Sequence, residues 1–294
     1  MPNIIINNYC NQKCSYCFAE DSMTILKNSS NTMSFSIFLS ILKFLKSYNY
    51  KQVRFLGGEP LLHPEFHTFI SLCQKGGFDC LLFSNLNLPH NFIISLFNKI
   101  KLPIKINCNL NNKDFYTDDE YKNIQKNIEF IASKNHEIII GYNIYTFDKW
   151  FDDIADFAKK TWLKRINLKV TNTIAGKKLI IDTGSRAYWQ YIYQSISKYS
   201  GDFFFEISCW LSKDIFFPEE IDFMKNLGIE LKFWCSGFVG EFDIDIDGSI
   251  YKCFPTRQFY LSKWISIRNF NPQKMKIESF WILRSEDICS AHKI

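Results

Sequence analysis

No stretch of this 294-residue chain is apolar for long enough to span a membrane. Its first residues, MPNIIINNYC, lack both the basic start and the apolar core of a signal peptide. Basic residues never cluster beyond pairs such as Lys159–Lys160 and Lys177–Lys178, and the formal charge is a mild +5. A phosphate-tracking surface needs a denser basic stripe, so neither nucleic acid nor membrane is an expected partner. Internal repeats and low-complexity tracts are absent as well. The expected compartment is a reducing cytoplasm, where the ten cysteines favour metal binding or catalysis over disulfides.

What is present is alternation. Apolar, β-type runs at 3–7, 52–56, 79–83, 104–109, 137–145 and 165–170 are separated by helical patterns near 34–48, 64–76, 90–99, 118–134, 148–160 and 186–199. Thr32 or Ser34 is placed to cap the first helix, and Thr117-Asp118-Asp119-Glu120 opens the fourth with acids at its positive end. Six βα units in series imply an α/β fold, a partial (β/α)6 TIM-type barrel with a parallel sheet. The alternation breaks between about 200 and 215. Beyond it come a strand pattern at 202–209, a short helix at 218–227 ended by Gly228, and "GEFDIDIDGSIYKCF" (240–254), a hairpin turning at Asp247-Gly248. The expected division is a barrel over 1–205 and a small cysteine-bearing module over 206–294.

Cys10, Cys14 and Cys17 fall within eight positions, in a polar loop just after the first strand. In a barrel that loop lies at the C-terminal edge of the sheet, where such folds keep their chemistry. A zinc site would want a fourth Cys or His at finger spacing, and the next histidine downstream is His63. Three thiolates suit a cubane cluster with one iron left open.

This C-x3-C-x-aromatic-C pattern, with Tyr16 as the aromatic, resembles the cluster loop of radical S-adenosylmethionine (radical SAM) enzymes. Gly57-Gly58-Glu59-Pro60, after the second strand, resembles the GGEP motif of that family. The resemblance implies that the cysteines hold a 4Fe–4S cluster, that SAM binds its open iron, and that the GGEP segment receives the methionine amino group. The glycines are expected to allow close approach to a ligand, and Glu59 to accept hydrogen bonds from an ammonium group. Further matches are looser. Ser84-Asn85-Leu86 stands where the family has Thr-Asn-Gly, so the turn is expected to differ for want of glycine. Asn107 and Asn109 stand where a Ser-x-Asp contacts the SAM ribose, sharing one strand face opposite Ile106, Cys108 and Leu110. Asn143 and Lys169 are candidates for SAM or substrate contact on the next two strands.

Beyond the barrel, Cys235, Gly248 and Cys253 resemble the opening of the SPASM/twitch extensions of one branch of the family. There a hairpin glycine and two cysteines frame an auxiliary 4Fe–4S cluster. "WISIRNF" (264–270) resembles the segment that follows. The long cysteine series of a full SPASM module is missing, since only Cys289 remains before Ile294. A twitch-like single auxiliary cluster on Cys235, Cys253 and Cys289 is therefore expected. The fourth ligand is left open between His292, Cys209, substrate and an open iron. Asp243-x-Asp245-x-Asp247-Gly248 mimics the start of a calcium loop, but position twelve is Phe254, so the aspartates read as the solvated face of the hairpin. Cys73 and Cys80 read as small buried apolar residues. Cys108 and Cys209 are weak candidates for donating hydrogen to a substrate radical.

The resemblance implies reductive cleavage of SAM to a 5′-deoxyadenosyl radical, with an electron from a reductant such as flavodoxin or ferredoxin. Enzymes with this extension often modify ribosomally made peptides by crosslink, thioether or epimerisation. Others oxidise small molecules of the sugar or aminoglycoside type. Peptide modification is the preferred expectation. Because the chain starts at its first strand, a separate leader-peptide-binding protein or direct docking on the barrel is expected. The aromatic stretches "YWQYIYQ" (188–194) and "DFFFEISCW" (202–210) are better placed in a core than in a substrate groove. From another class, the rival is a non-catalytic iron–sulfur or zinc protein, which has no use for a GGEP segment.

Overall fold

The computed structural model describes residues 2–17, 31–144, 150–170, 186–208, 216–231, 242–251 and 265–266. Seven parallel strands, β1 (Asn3–Ile5), β2 (Gln52–Leu56), β3 (Asp79–Ser84), β4 (Lys105–Leu110), β5 (Glu137–Ile144), β6 (Arg165–Val170) and β7 (Phe204–Ser208), lie side by side in sequence order. Helices α1 (Phe35–Ser47), α2 (Phe66–Lys75), α3 (His90–Phe97), α4 (Asp118–Ser133), α5 (Trp150–Lys160) and α6 (Arg186–Tyr199) alternate with them, and α7 (Pro218–Asn226) follows β7. This is an open, mostly parallel sheet of the partial TIM-barrel kind. The strand expected at 202–209 is its seventh parallel member.

Capping chemistry sets the helix starts. Ser34 accepts a hydrogen bond from the Ile37 N–H and caps α1. Thr117 and Glu120 form a reciprocal capping box on α4, with Asp118 and Asp119 beside the helix N-terminus. Helix α1 buries Phe38, Ile41, Leu42, Phe44 and Leu45, a stripe at helical spacing. Phe38 stacks on Phe69 of α2, ring centroids 4.0 Å apart. On the sheet side the stripes meet Ile4, Phe55, Leu82, Ile106, Ile140 and Ile166, all fully buried.

In-register neighbours share a face, so the opposite face of the sheet can be read across the strands. It carries Asn107 and Asn109 of β4, Gly141 and Asn143 of β5, Asn167 and Lys169 of β6, and Glu206 of β7. Arg165 pairs with Glu137 and Glu206, and Lys105 with Glu137 at 3.1 Å, near the N-terminal ends of these strands. Apolar residues thus pack against the helices, while the other face mixes these polar side chains with Phe83 and Ile139.

Strands β8 (Asp243–Ile244) and β9 (Ser249–Tyr251) form the expected hairpin, and β10 (Ile265–Ser266) pairs antiparallel with β9. Gly248 turns it at φ +83°. The hairpin continues the barrel sheet, because β8 lies parallel to β1 with Asn3 opposite Asp243. This corrects the expectation of a solvated aspartate face. Asp243 and Asp245 are buried at 6% and 0% exposure, and only Asp247 is exposed. Asp243 Oδ1 accepts a 2.6 Å hydrogen bond from Asn3 Nδ2, so sheet continuation has replaced water around the carboxylate. Most of the aromatic stretches are core, as expected: Tyr188, Trp189, Phe203 and Phe205 are buried, while Phe204 is exposed. Among the described residues, no helix is long and apolar enough to cross a membrane.

Candidate active site

The loop after β1 and the loop after β2 are locked backbone to backbone. Gly58 N–H donates to the Asn7 carbonyl at 3.1 Å, and Glu59 N–H to the Tyr9 carbonyl at 2.8 Å. Asn7 Nδ2 returns a 2.8 Å bond to the Glu59 carbonyl, and Tyr9 OH donates to the Leu62 carbonyl at 2.7 Å. The space between them admits no side chain. A Cβ on Gly58 would stand 1.9 Å from the Tyr9 carbonyl oxygen, and one on Gly57 would stand 2.2 Å from Asn7 Oδ1. The close approach expected of these glycines is therefore made first to the cysteine loop itself.

Glu59 is 1% exposed. Its Oε1 accepts from Leu61 N–H at 3.1 Å and Ser84 Oγ at 2.8 Å, and its Oε2 from Asn85 N–H at 2.8 Å. Burial pushes the carboxyl up to about 7, against the pull of the three donors. Three of roughly four acceptor positions are thereby used, one on its own 3-10 turn and two on the end of β3 and the turn after it, and one, on Oε2, remains for a ligand. Pro60 starts a short 3-10 turn, Pro60–Leu62. Its continuation is pinned by His63, whose Nδ1 accepts from Glu65 N–H while Nε2 lies 3.0 Å from the Met33 carbonyl. That pairing assigns the neutral, Nε2-protonated tautomer, in line with the burial that lowers the His63 pKa.

The turn after β3 keeps a left-handed residue although it has no glycine. Leu86 sits at φ +52° and is fully buried. The conformation costs about 1–2 kcal/mol, and burial of the side chain contributes about 1.5–3 kcal/mol in return. The position where the resemblance would put a glycine thus holds a leucine in the left-handed region. Ser84 Oγ accepts from Leu86 N–H at 3.0 Å while donating to Glu59, so its hydroxyl serves the turn. Asn85 Nδ2 reaches Asn11 Oδ1 at 2.9 Å and Cys10 Sγ at 3.7 Å.

Asn107 and Asn109 share a face as expected, both crowding Gly141. A Cβ there would meet Asn107 Oδ1 at 2.0 Å, Asn109 Oδ1 at 2.9 Å and Lys169 Cε at 3.0 Å. Lys169 Nζ donates to Asn109 Oδ1 and lies 4.7 Å from the Phe83 ring centroid. Asn143 is opposite Lys169 in the sheet register. Asn107 Oδ1 is buried and has no hydrogen-bond partner among the described residues. Cys108 points away from this group, fully buried, with its thiol pushed up to about 12 by burial. Cys73 and Cys80 are buried, as expected. Cys209, Cys235, Cys253, Cys289 and His292 lie outside the described residues.

The three loop thiols fit an iron–sulfur cluster by their chemistry. Gln12 N–H lies 3.4 Å from Cys10 Sγ and Asn111 Nδ2 lies 3.4 Å from Cys14 Sγ, so amide donors face the sulfurs as thiolate ligands require. Tyr16 OH bonds Asn111 Oδ1, which ties the aromatic to the end of β4. Burial pushes Cys10 up to about 12, with repulsion from Glu59, Cys14 and Cys17 adding to it, and pushes Cys14 up as well. Such a site favours a bound cationic centre over three free thiolates. Among the described residues no three metal-binding side chains converge to hold a single ion. Three cysteines with no fourth Cys or His at finger spacing suit a cluster with one thiolate per iron and one iron left open.

Residues 4–111 match the radical SAM superfamily. They form a radical SAM domain. The wider fold agrees. The structure of Streptococcus suis SuiB bound to precursor peptide SuiA superposes with a TM-score of 0.68 at 17% identity, covering 100% of this chain and 70% of that one. SuiB bound to S-adenosylmethionine gives 0.66 at 16% identity, over 92% of this chain and 64% of that one. Native anSMEcpe with bound AdoMet and Cp18Cys peptide gives 0.65 at 16% identity, over 95% and 80%. These likenesses are of fold. A curated relative, the S-adenosylmethionine-dependent nucleotide dehydratase of Thermoplasmatales archaeon (strain ISO4-H5), is 34% identical over 86 residues, which spans 29% of each chain. The radical SAM domain thus accounts for the matched part, and the chain spans about two thirds of SuiB.

Several residues of the site carry no motif. Asn7, Asn11 and Asn111 are lost in a sequence where asparagine is common, Tyr9 is one of 14 tyrosines, and Gly141 is a lone strand glycine. Asn127 did leave a signal, as the one polar residue in the buried stripe Ile124, Asn127, Ile128 and Ile131 of α4.

Proposed function

We propose that this chain is a radical SAM enzyme acting on a ribosomally made peptide. The reading rests on one observation above all: the thiol loop and the GGEP segment interlock so closely that neither glycine could carry a side chain. When bound to Cys10, Cys14 and Cys17, a 4Fe–4S cluster supplies the electron that splits SAM into methionine and a 5′-deoxyadenosyl radical, which takes hydrogen from a substrate C–H bond. The protein's part is placement. The Gly57–Gly58 backbone and the remaining Oε2 position of Glu59 receive the SAM ammonium group. Asn85 orients Cys10 and Asn11. Asn107 Oδ1 accepts a ribose hydroxyl, which would satisfy its buried oxygen. Asn143 and Lys169 face the substrate side of the same surface.

Beyond the matched domain, we assign Cys235, Cys253 and Cys289 to a twitch-like auxiliary cluster, with His292 or Cys209 as a fourth ligand, on the resemblance of their spacing. A peptide substrate is supported by the peptide-bound SuiB and anSMEcpe folds. A nucleotide substrate is the second reading, favoured by the 34% identity to a nucleotide dehydratase. Anaerobic purification tests the core of the proposal. About eight irons per chain and SAM cleavage on dithionite addition are expected, and C10A/C14A/C17A should keep about half the iron and cleave no SAM. Stoichiometric zinc, or full activity in that variant, overturns it. Stimulation of 5′-deoxyadenosine release by precursor peptides against nucleotides separates the two substrate readings.

A further inference from the structure

Helix α4 reaches over the turn after β3 with three polar side chains. Asn127 Nδ2 donates to the Leu86 carbonyl at 2.9 Å and the Leu88 carbonyl at 2.8 Å, and Asn123 Nδ2 donates to the Leu88 carbonyl at 2.7 Å. Glu120 Oε1 accepts from Asn87 Nδ2 at 3.1 Å. Spaced three and four apart, the three lie on one side of the helix. Asn127 is fully buried and its orientation is decided, because both carbonyls demand its amide nitrogen. Its Oδ1 then faces His90 Nδ1 at 2.8 Å, which places the His90 proton on Nδ1.

We propose that Asn127 is a positioning residue for the SAM-facing turn, holding Leu86 in its left-handed conformation. The inference rests on the reading of this site as a SAM site. With φ at +52° on a leucine, the turn is not at its own backbone minimum; burial of the side chain offsets that cost, and hydrogen bonds to the Leu86 backbone fix the conformation. Asn127 supplies one of these bonds at the Leu86 carbonyl, and Ser84 Oγ supplies the other at the Leu86 N–H. From the turn the order passes to Asn85, whose N–H meets Glu59 and whose side chain meets Asn11 and Cys10. Asn11 Nδ2 closes the circuit on the Asn87 carbonyl at 2.5 Å. Nothing in this chain of contacts requires Asn127 to touch SAM.

Asn127→Ala, anaerobically reconstituted, should keep its iron but bind SAM about tenfold more weakly, the loss of one or two buried hydrogen bonds. Its amides at 84–88 should exchange with solvent faster than in the wild type. Leu86→Gly removes the left-handed cost, so L86G/N127A should regain most of the SAM affinity although it has lost a buried side chain. A purely structural role for Asn127 predicts the reverse, with the double variant weaker still. Unchanged exchange at 84–88 in N127A, or no recovery in the double variant, overturns the proposal. A wild-type chain that loads iron and binds no SAM overturns the functional reading instead, while the exchange comparison still judges the positioning.

Discussion

Adding one methyl group at Gly58 should separate the cysteine loop from the GGEP segment. The new Cβ would lie 1.9 Å from the Tyr9 carbonyl oxygen, 2.2 Å from its carbon and 2.8 Å from the Cys10 nitrogen. Real Cβ contacts do not fall below 3.0 Å, so the loops must part by more than 1 Å. All three obstructing atoms are backbone, which leaves no flexible side chain to swing aside. Parting breaks the Gly58–Asn7 and Glu59–Tyr9 bonds, each worth about 1 kcal/mol net, with about 1–3 kcal/mol more for groups left unpaired. A total of about 3–5 kcal/mol lowers the population of the ligating loop at least about a hundredfold. Iron per chain and the reduced-state electron paramagnetic resonance signal of anaerobically reconstituted G58A report this directly. The iron held at Cys10, Cys14 and Cys17 should be lost while the fold melts cooperatively. Gly201→Ala, where nothing lies within 4 Å, should load normally. A G58A protein that loads and cleaves SAM within about twofold of wild type would refute the interlock.

Other expectations separate the parts of the site. Gly141→Ala should displace Asn107, whose Oδ1 lies 2.0 Å from the added Cβ, and weaken SAM binding measured by equilibrium dialysis while leaving iron content unchanged. Burial lowers the pKa of His63 and His136, so the unfolded chain binds more protons below the ordinary histidine value. Their contribution to stability is complete above about pH 6.5 and is lost as pH falls further. Glu59, raised to about 7, works the other way, losing stability as pH rises through that value. The denaturation midpoint of His63→Gln should therefore fall less than that of wild type between about pH 7.5 and 5.5; equal falls would remove His63 from the account. Leu86→Gly alone should melt lower, because the lost leucine burial, about 2–4 kcal/mol, exceeds the strain it relieves.

Much of the core and the site's outline was legible because it depends on local spacing. Apolar periodicity located the strands and helices, since burial acts on residues two or four apart whatever the fold. The thiols and GGEP were legible as short motifs, and Asn107 and Asn109 shared a face by strand alternation alone. What the residues hold, and against what, was decided by contacts far apart in the chain. The glycines at 57 and 58 face residues about fifty positions earlier. Glu59 spends its carboxylate on a turn some twenty-five positions later, and a helix near residue 127 keeps that turn left-handed without glycine. Asp243 and Asp245 looked solvated because alternation reports which residues share a face and not what lies against that face. The pairing of β8 with β1 set Asn3 beside Asp243 in place of water. Sequence spacing determined the strands, the helices and the place of three cysteines in one loop; the packing of distant loops, enforced by excluded volume and buried hydrogen bonds, decided how that loop is held.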